Sequence, residues 1–210
     1  LWAGGVRIGS VEVGFLDEIA LQPSWMLREV LHKSEQLEDG TELTGWALQG
    51  EINNALARLA DVLRATGRCG AWRDELLAVT DVQGHRVGLV ERGVVRPLGI
   101  TTHAVHLVGR NPLGHHWVQQ RALTKANDPG LWDTLMGGMV SAADTLEQAL
   151  ARETWEEAGL RLAQLQGVRA GGRVTIRRPS PDGLGSGYME EHIDWFTGVV
   201  PDGVVPVNQD

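Results

Sequence analysis

The chain has 210 residues, of which 42% are hydrophobic and 22% charged, with a formal net charge of −8. This composition is ordinary for a folded globular protein and excludes wholesale disorder, which needs low hydrophobicity together with high net charge. The acidic charge is spread evenly and leaves no clustered basic face, which argues against a nucleic-acid partner. No apolar run approaches the ~18 residues of a membrane-spanning helix. The single cysteine, Cys69, cannot form an internal disulfide, so we expect a cytoplasmic protein without a membrane partner.

The first half of the chain predicts a small α+β domain over residues 1–99. Apolar residues there recur at helical spacing and are followed by strand-like runs around a glycine turn. The predicted elements are, in chain order, a helix over 24–34, a longer helix over 44–65, and strands over 76–82 and 86–91. The pattern breaks around 96–99, and we place the domain boundary there.

The second half predicts another α+β domain over residues 100–210. The predicted elements are a buried strand over 101–108, a strand over 117–121, a helix over 145–158, and strands over 168–177 and 189–199. Gly159 supplies a stop for the helix. Asp144 with Glu147 fits a capping pattern at its start.

Three acidic residues near the end of this helix share one face. At 100° per residue, Glu153, Glu156 and Glu157 are neighbours, about 5–6 Å apart. The same face one and two turns earlier is apolar and carries Leu146, Ala149 and Leu150. Acidic crowding on a core-facing stripe is destabilising, the more so at a helix C-terminus, where the helix dipole disfavours anions.

A hard divalent cation would relieve this repulsion. Three carboxylates suit Mg²⁺ or Mn²⁺, and the absence of nearby cysteine or paired histidine argues against zinc. Arg152, four residues before Glu156, can hold a carboxylate in place. Gly137 and Gly138 let the backbone come close to a ligand or to the start of the helix. The alternative is an acidic amphipathic helix without a metal.

The spacing of these residues resembles the Nudix box. Gly138, five residues, Asp144, seven residues and then RETWEEAGL over 152–160 match seven of its nine fixed positions. The two departures are Asp144 for glutamate and Thr154 for an apolar residue. The resemblance implies an α/β/α sandwich of helices around a mixed sheet, preceded here by the small α+β domain.

The same resemblance implies an activity. Members hydrolyse a diphosphate linked to another moiety, with Mg²⁺ held by Glu153, Glu156 and Glu157. In the family the first glutamate of the box braces the motif's arginine, and Asp144 would do so for Arg152. The expected partner is therefore a small-molecule diphosphate, and a homodimer is one possible assembly of the chain.

A further carboxylate outside the box often supplies another ligand or the catalytic base. The predicted strand over 189–199 offers Glu190, Glu191 and Asp194, and we favour Glu191, which alternation places with Ile193 and Trp195. A solvated edge strand is the alternative.

Cationic and aromatic side chains near the box are candidates for substrate binding. Arg121 and Lys125 lie before the box and could meet the distal phosphate, although isolated cationic residues are usually only solvated. Trp132 could stack on a heteroaromatic ring. His103 and His106 are three apart on a strand and so face opposite ways, and one of them is expected to be a core histidine.

Looser motifs resemble a particular Nudix subgroup, which carries an extra N-terminal domain and in some members is fused to thiamine pyrophosphokinase. They include GAWRDE over 70–75, WVQQR over 117–121 and DPG over 128–130. This resemblance implies hydrolysis of an oxidised thiamine diphosphate, and a native chain that continues beyond Asp210.

Three other functions compete with this one. One alternative is a hydrolase of ADP-ribose or nucleotide sugars, and another is a ligand-binding module of the same fold without turnover. Isopentenyl diphosphate isomerase shares the fold and an element like Trp132–Asp133. It is disfavoured because it needs a cysteine just before the box, where this chain has Leu135–Gly138.

Overall fold

The chain forms two compact units. The computed structural model describes residues 1–20, 27, 29–38, 40–125 and 128–208. One unit comprises Leu1–Thr102 with Ile176–Glu191, and the other His103–Thr175 with His192–Asp210. The chain therefore passes between the units more than once, and the assignment of 1–99 and 100–210 as domains stays a prediction. Within the described ranges, no helix has the length and apolarity to cross a bilayer.

The first unit is built on a four-stranded mixed sheet, with strand order β2-β1-β4-β3. β1 runs parallel to β4, and the other pairs are antiparallel. A separate hairpin pairs β5 with β6. In chain order the elements are β1 (Trp2–Ala3), β2 (Val6–Arg7), α1 (Phe15–Ala20), β3 (Leu31–Glu38), β4 (Thr41–Leu48), α2 (Ile52–Ala65), β5 (Leu76–Thr80) and β6 (Arg86–Glu91).

Two helix predictions in this unit are wrong in part. The helix expected over 24–34 gives way to β3 from Leu31 onward, and residues 21–26 and 28 lie outside the described residues. The helix expected over 44–65 begins only at Ile52, because 44–48 belong to β4. Within β4, Gly45 leaves room for the Trp2 ring of the neighbouring strand β1, because a Cβ at Gly45 would overlap that ring. Glu51 then caps α2 by accepting from the Asn53 and Asn54 amides at 3.0 and 2.8 Å.

The second unit holds most of a sheet with strand order β10-β7-β12-β11. Its elements are β7 (Thr102–Arg110), β8 (Gln119–Gln120), β9 (Trp132–Asp133), β10 (Met136–Met139), α3 (Leu146–Ala158), β11 (Gln166–Ser180) and β12 (Gly187–Val199). β10 pairs antiparallel with β7 and sets Gly137 opposite His106 and Gly138 opposite Val105. The strand predicted over 117–121 is reduced to β8. The mixed α+β architecture confirms the predicted fold class.

α3 packs against β10 and closes the hydrophobic core of this unit. The apolar stripe of the helix is buried as predicted, with Ala149 and Leu150 against Val105 and Leu107 of β7. Gly159 ends the helix with φ +62°, a left-handed conformation that glycine adopts without strain. The predicted cap is wrong by one residue: Thr145, not Asp144, is the N-cap, and it forms a capping box with Gln148.

Replacing Thr145 with alanine should therefore weaken the helix. The variant loses the hydroxyl that accepts from the Gln148 amide at 3.2 Å, and we expect the free energy of unfolding to fall by about 1 kcal/mol. Thr145→Ser keeps the hydroxyl and should stay within about 0.5 kcal/mol of the original chain. Urea unfolding followed by circular dichroism measures both values. Equal losses in the two variants would contradict the cap.

Candidate active site

The guanidinium of Arg152 holds the acidic face of α3 together. Its Nε donates to Asp144 Oδ2 at 2.9 Å, and its Nη1 donates to Glu153 Oε1 at 2.8 Å and to Glu156 Oε2 at 3.0 Å. Two carboxylates of the helix and one of the preceding loop thus share one cation. Asp144 makes the contact expected of the longer glutamate, so the brace predicted for Arg152 is present.

Burial and the neighbouring charges shift the pKa values of Arg152 and Glu153. Burial disfavours the charged form of Arg152, but the hydrogen bond with Asp144 and the charges of Glu153 and Glu156 outweigh it and raise the pKa of the guanidinium. Burial raises the pKa of Glu153, Arg152 opposes it, and the charges of Glu156 and Glu157 raise it further. The three glutamates are therefore close enough to repel one another, as the helix geometry predicts.

Glu157 is held by a different set of groups. Its Oε2 accepts from the backbone N–H of Gly137 at 3.0 Å and from Gln119 Nε2 at 2.6 Å. The carboxylate therefore bridges the end of α3 to β10 and to β8. The sequence did not predict the contact of Gln119 with Glu157, because only the tertiary packing of β8 near α3 brings the two side chains together.

Both glycines before the helix are required by close packing. A Cβ at Gly138 would overlap the carboxylate of Glu153. A Cβ at Gly137 would lie 2.6 Å from Cε1 of the His106 ring. Any larger residue would push these two side chains away, so the prediction that Gly137 and Gly138 allow a close approach has a specific basis in the neighbouring side chains.

A second polar network lies on the other side of Gly137. Arg121 Nη1 donates to Asp133 Oδ2 at 3.2 Å. The other oxygen, Asp133 Oδ1, accepts from the Thr134 amide at 2.8 Å and lies 3.6 Å from His106 Nδ1. His106 Nδ1 is also 3.0 Å from Thr134 Oγ1. We assigned no role to Asp133 or Thr134 from the sequence, since only tertiary packing brings them to His106.

The remaining predicted residues lie in different places. Glu191 belongs to the first unit, where the Thr102 hydroxyl donates to its Oε2 at 3.2 Å. Lys125 is exposed. Trp132 is 68% exposed, which leaves its ring accessible. The contacts described above thus unite Arg152 with Glu153 and Glu156, and Glu157 with Gly137.

The described residues contain no group of three His, Cys, Asp or Glu side chains arranged to hold a metal. Two of the predicted ligands turn toward Arg152 and the third toward Gly137 and Gln119. The donor set is nevertheless composed of carboxylate oxygens, the ligands that Mg²⁺ and Mn²⁺ prefer. The residues therefore fit such a cation by the chemistry of their oxygen atoms, while in this structure the three carboxylates bind Arg152, Gly137 and Gln119.

Comparisons with known proteins identify the family of the second half of the chain. The model of the NUDIX domain matches residues 101–210. Nudix hydrolase PA4841 of Pseudomonas aeruginosa, itself uncharacterised, is 38% identical over 92 residues, covering 44% of this chain and 54% of that protein. An isopentenyl-diphosphate Delta-isomerase of Streptomyces avermitilis is 31% identical over 127 residues, covering 60% of this chain and 61% of the enzyme.

Among solved structures, DR0079 from Deinococcus radiodurans matches with a TM-score of 0.49 and 22% identity, covering 64% of this chain and 76% of that one. The chain spans about half the length of the Pseudomonas relative. Because the domain match covers more than half of the 210 residues, the chain belongs to the Nudix family, whose hydrolases act on phosphorus-containing anhydrides.

Proposed function

We propose that this chain is a pyrophosphohydrolase, dependent on Mg²⁺ or Mn²⁺, that cleaves a small organic diphosphate into a monophosphate and phosphate. The observation that carries the proposal is the acidic face of α3. Burial, together with the charges of Glu156 and Glu157, raises the pKa of Glu153. The Glu153 carboxylate packs directly against Gly138, where a Cβ would overlap it. A helix with only a solvated acidic face would not bury the side chain of Glu153 to 13% exposure.

Glu153, Glu156 and Glu157 are the residues that would hold the cation. A divalent cation there supplies charge neutralisation for phosphate oxygens and lowers the pKa of a bound water. Nudix hydrolases generally use such an ion. Arg152 keeps two of these carboxylates oriented, and it is a positioning residue because it acts through them.

The other predicted residues have roles in substrate binding. Arg121 and Lys125 are proposed to meet the distal phosphate, and Arg121 is already fixed by Asp133. The backbone at Gly137 and Gly138 can approach the substrate closely. The exposed ring of Trp132 is available to stack on an aromatic moiety. Glu191 is proposed as the further carboxylate, either as a ligand or as the base.

The substrate proposed is an oxidised thiamine diphosphate. Its support is the resemblance to the subgroup with an extra N-terminal domain, together with a folded first unit of the kind that a minimal Nudix hydrolase lacks. ADP-ribose and nucleotide sugars are the alternative substrates. If the N-terminal domain only dimerises or stabilises the enzyme, its presence no longer supports a thiamine substrate.

Two other functions are weaker. Isopentenyl diphosphate isomerases are among the relatives, but the cysteine that such an enzyme needs before the box is absent from Leu135–Gly138. A ligand-binding module without turnover could lose glutamates from the box, and all three are present here.

The first prediction from this proposal concerns the cation. In crystals soaked with Mn²⁺, we expect an anomalous peak with oxygen atoms of at least two of Glu153, Glu156 and Glu157 at about 2.0–2.2 Å. Glu147→Gln, on the exposed first turn of the same helix, is the control and should keep the peak. An anomalous map without density beside the three glutamates would contradict the assignment.

The second prediction concerns turnover. Glu157→Gln should lower kcat by roughly 10²-fold or more, since it removes the charge at the carboxylate that joins α3 to β10. The side chain keeps its size, so the thermal unfolding midpoint should hardly change. Glu147→Gln is again the matched control. A purified Glu157→Gln protein that turns over within about threefold of the original would refute this role.

The third prediction concerns the substrate. In competition kinetics, oxidised thiamine diphosphates should show a higher kcat/KM than ADP-ribose or nucleotide sugars. Trp132→Ala should reduce this preference because the stacking surface is lost, by up to about tenfold. If ADP-ribose or a nucleotide sugar has the higher kcat/KM, the substrate proposal fails while the hydrolase proposal stands.

A further inference from the structure

His106 lies beside the acidic site and has no role in the function proposed above. Its ring rests on Gly137, where a Cβ would come within 2.8 Å of Nε2. The N–H of the same glycine donates to Glu157. One backbone residue therefore separates the imidazole from a carboxylate of the box.

The hydrogen bonds around Nδ1 determine which ring nitrogen carries the proton. The hydroxyl of Thr134 has a single hydrogen, and its acceptors are the Met136 carbonyl at 2.8 Å and Asp133 Oδ1 at 3.4 Å. Thr134 Oγ1 can therefore only accept in its 3.0 Å contact with His106 Nδ1. Nδ1 must be the donor, and in the neutral ring Nε2 carries the lone pair.

The His106 ring is partly exposed, and one of its nitrogens has no protein partner among the described residues. The His106 side chain is 21% exposed. Among the described residues, Nε2 has no hydrogen-bond partner. The ring is therefore partly exposed and keeps one nitrogen without a protein partner next to Gly137, which a histidine with a purely structural role does not require.

Asp133 supports a change of charge on this ring. Its Oδ1 lies 3.6 Å from Nδ1, and its Oδ2 is held by Arg121. A carboxylate in that place orients an imidazole and stabilises the imidazolium formed when Nε2 accepts a proton, as in hydrolases that use a base with an orienting acid. The charged groups facing the ring through this network are Asp133, Arg121 and, across Gly137, Glu157.

We propose that His106 is the general base of the hydrolysis, a proposal that rests on the pyrophosphohydrolase function. Nε2 takes a proton from the attacking water as the water oxygen forms a bond to phosphorus. The bridging P–O bond breaks, and its electron pair leaves with the departing phosphate, which receives the proton afterwards. Glu191, bonded to Thr102, then keeps the role of a ligand.

Substitution of His106 by asparagine or by glutamine tests the roles of the two ring nitrogens independently. Asn at position 106 can place an N–H near Nδ1 and keep the contact with Thr134, whereas Gln can place an N–H near Nε2; neither can take a proton. For His106→Asn and His106→Gln we expect kcat to fall about 10²-fold or more with KM within about threefold. His106→Ala should regain about tenfold of its lost kcat in added imidazole.

Other results would overturn the proposal. Near-original activity of His106→Asn would show a structural role, and near-original activity of His106→Gln would show that Nε2 only donates a hydrogen bond. Failure of imidazole to restore a folded His106→Ala protein would also count against a base.

Nitrogen NMR of histidine-labelled protein provides a readout that does not depend on activity. We expect the neutral His106 ring to carry its proton on Nδ1. A proton on Nε2 would overturn the proposal even in an active enzyme. A wild-type chain that cleaves no diphosphate would instead refute the proposed function, and the NMR result would still decide the state of the ring.

Discussion

The crowding of carboxylates at the C-terminal half of α3 is the constraint on which the rest of the site depends. Like charges on adjacent helical positions, placed where the helix dipole also disfavours anions, destabilise the helix unless cations or hydrogen bonds compensate. Arg152 compensates for Glu153 and Glu156, and the Gly137 amide with Gln119 compensates for Glu157. The helix can tolerate this arrangement because its apolar stripe and both caps are in place.

Each compensating group lies on a different element, and this is why the site depends on the fold. Arg152 belongs to α3 itself, Gly137 to β10 and Gln119 to β8. The two glycines then allow the sheet edge to approach the helix, with Glu153 on one side of the strand and His106 on the other. The acidic face and the imidazole network are thus neighbours because they share one strand.

Local signals predicted α3 and its charges well, because helix periodicity and the contacts between residues three and four apart depend on the helix alone. The same reasoning failed over 44–51, where apolar spacing fits either a helix or a strand, and the pairing of β4 with Trp2 of β1 decided the outcome. It also gave no role to Gln119, Asp133 and Thr134. Gln119 lies 38 residues from Glu157, and Thr134, next to Asp133, lies 28 residues from His106, so no local pattern encodes these contacts.

The central claim is that the acidic face of α3 supports cleavage of a diphosphate. Phosphorus NMR of the purified chain with a panel of diphosphates, with Mg²⁺ and then with excess chelator, tests it most directly. The panel should include thiamine diphosphates, ADP-ribose, a nucleotide sugar and isopentenyl diphosphate. We expect at least one diphosphate signal to be replaced by monophosphate signals, and only with Mg²⁺ present. Persistence of every diphosphate signal with Mg²⁺ present would contradict this activity. So would rearrangement of isopentenyl diphosphate with its diphosphate intact.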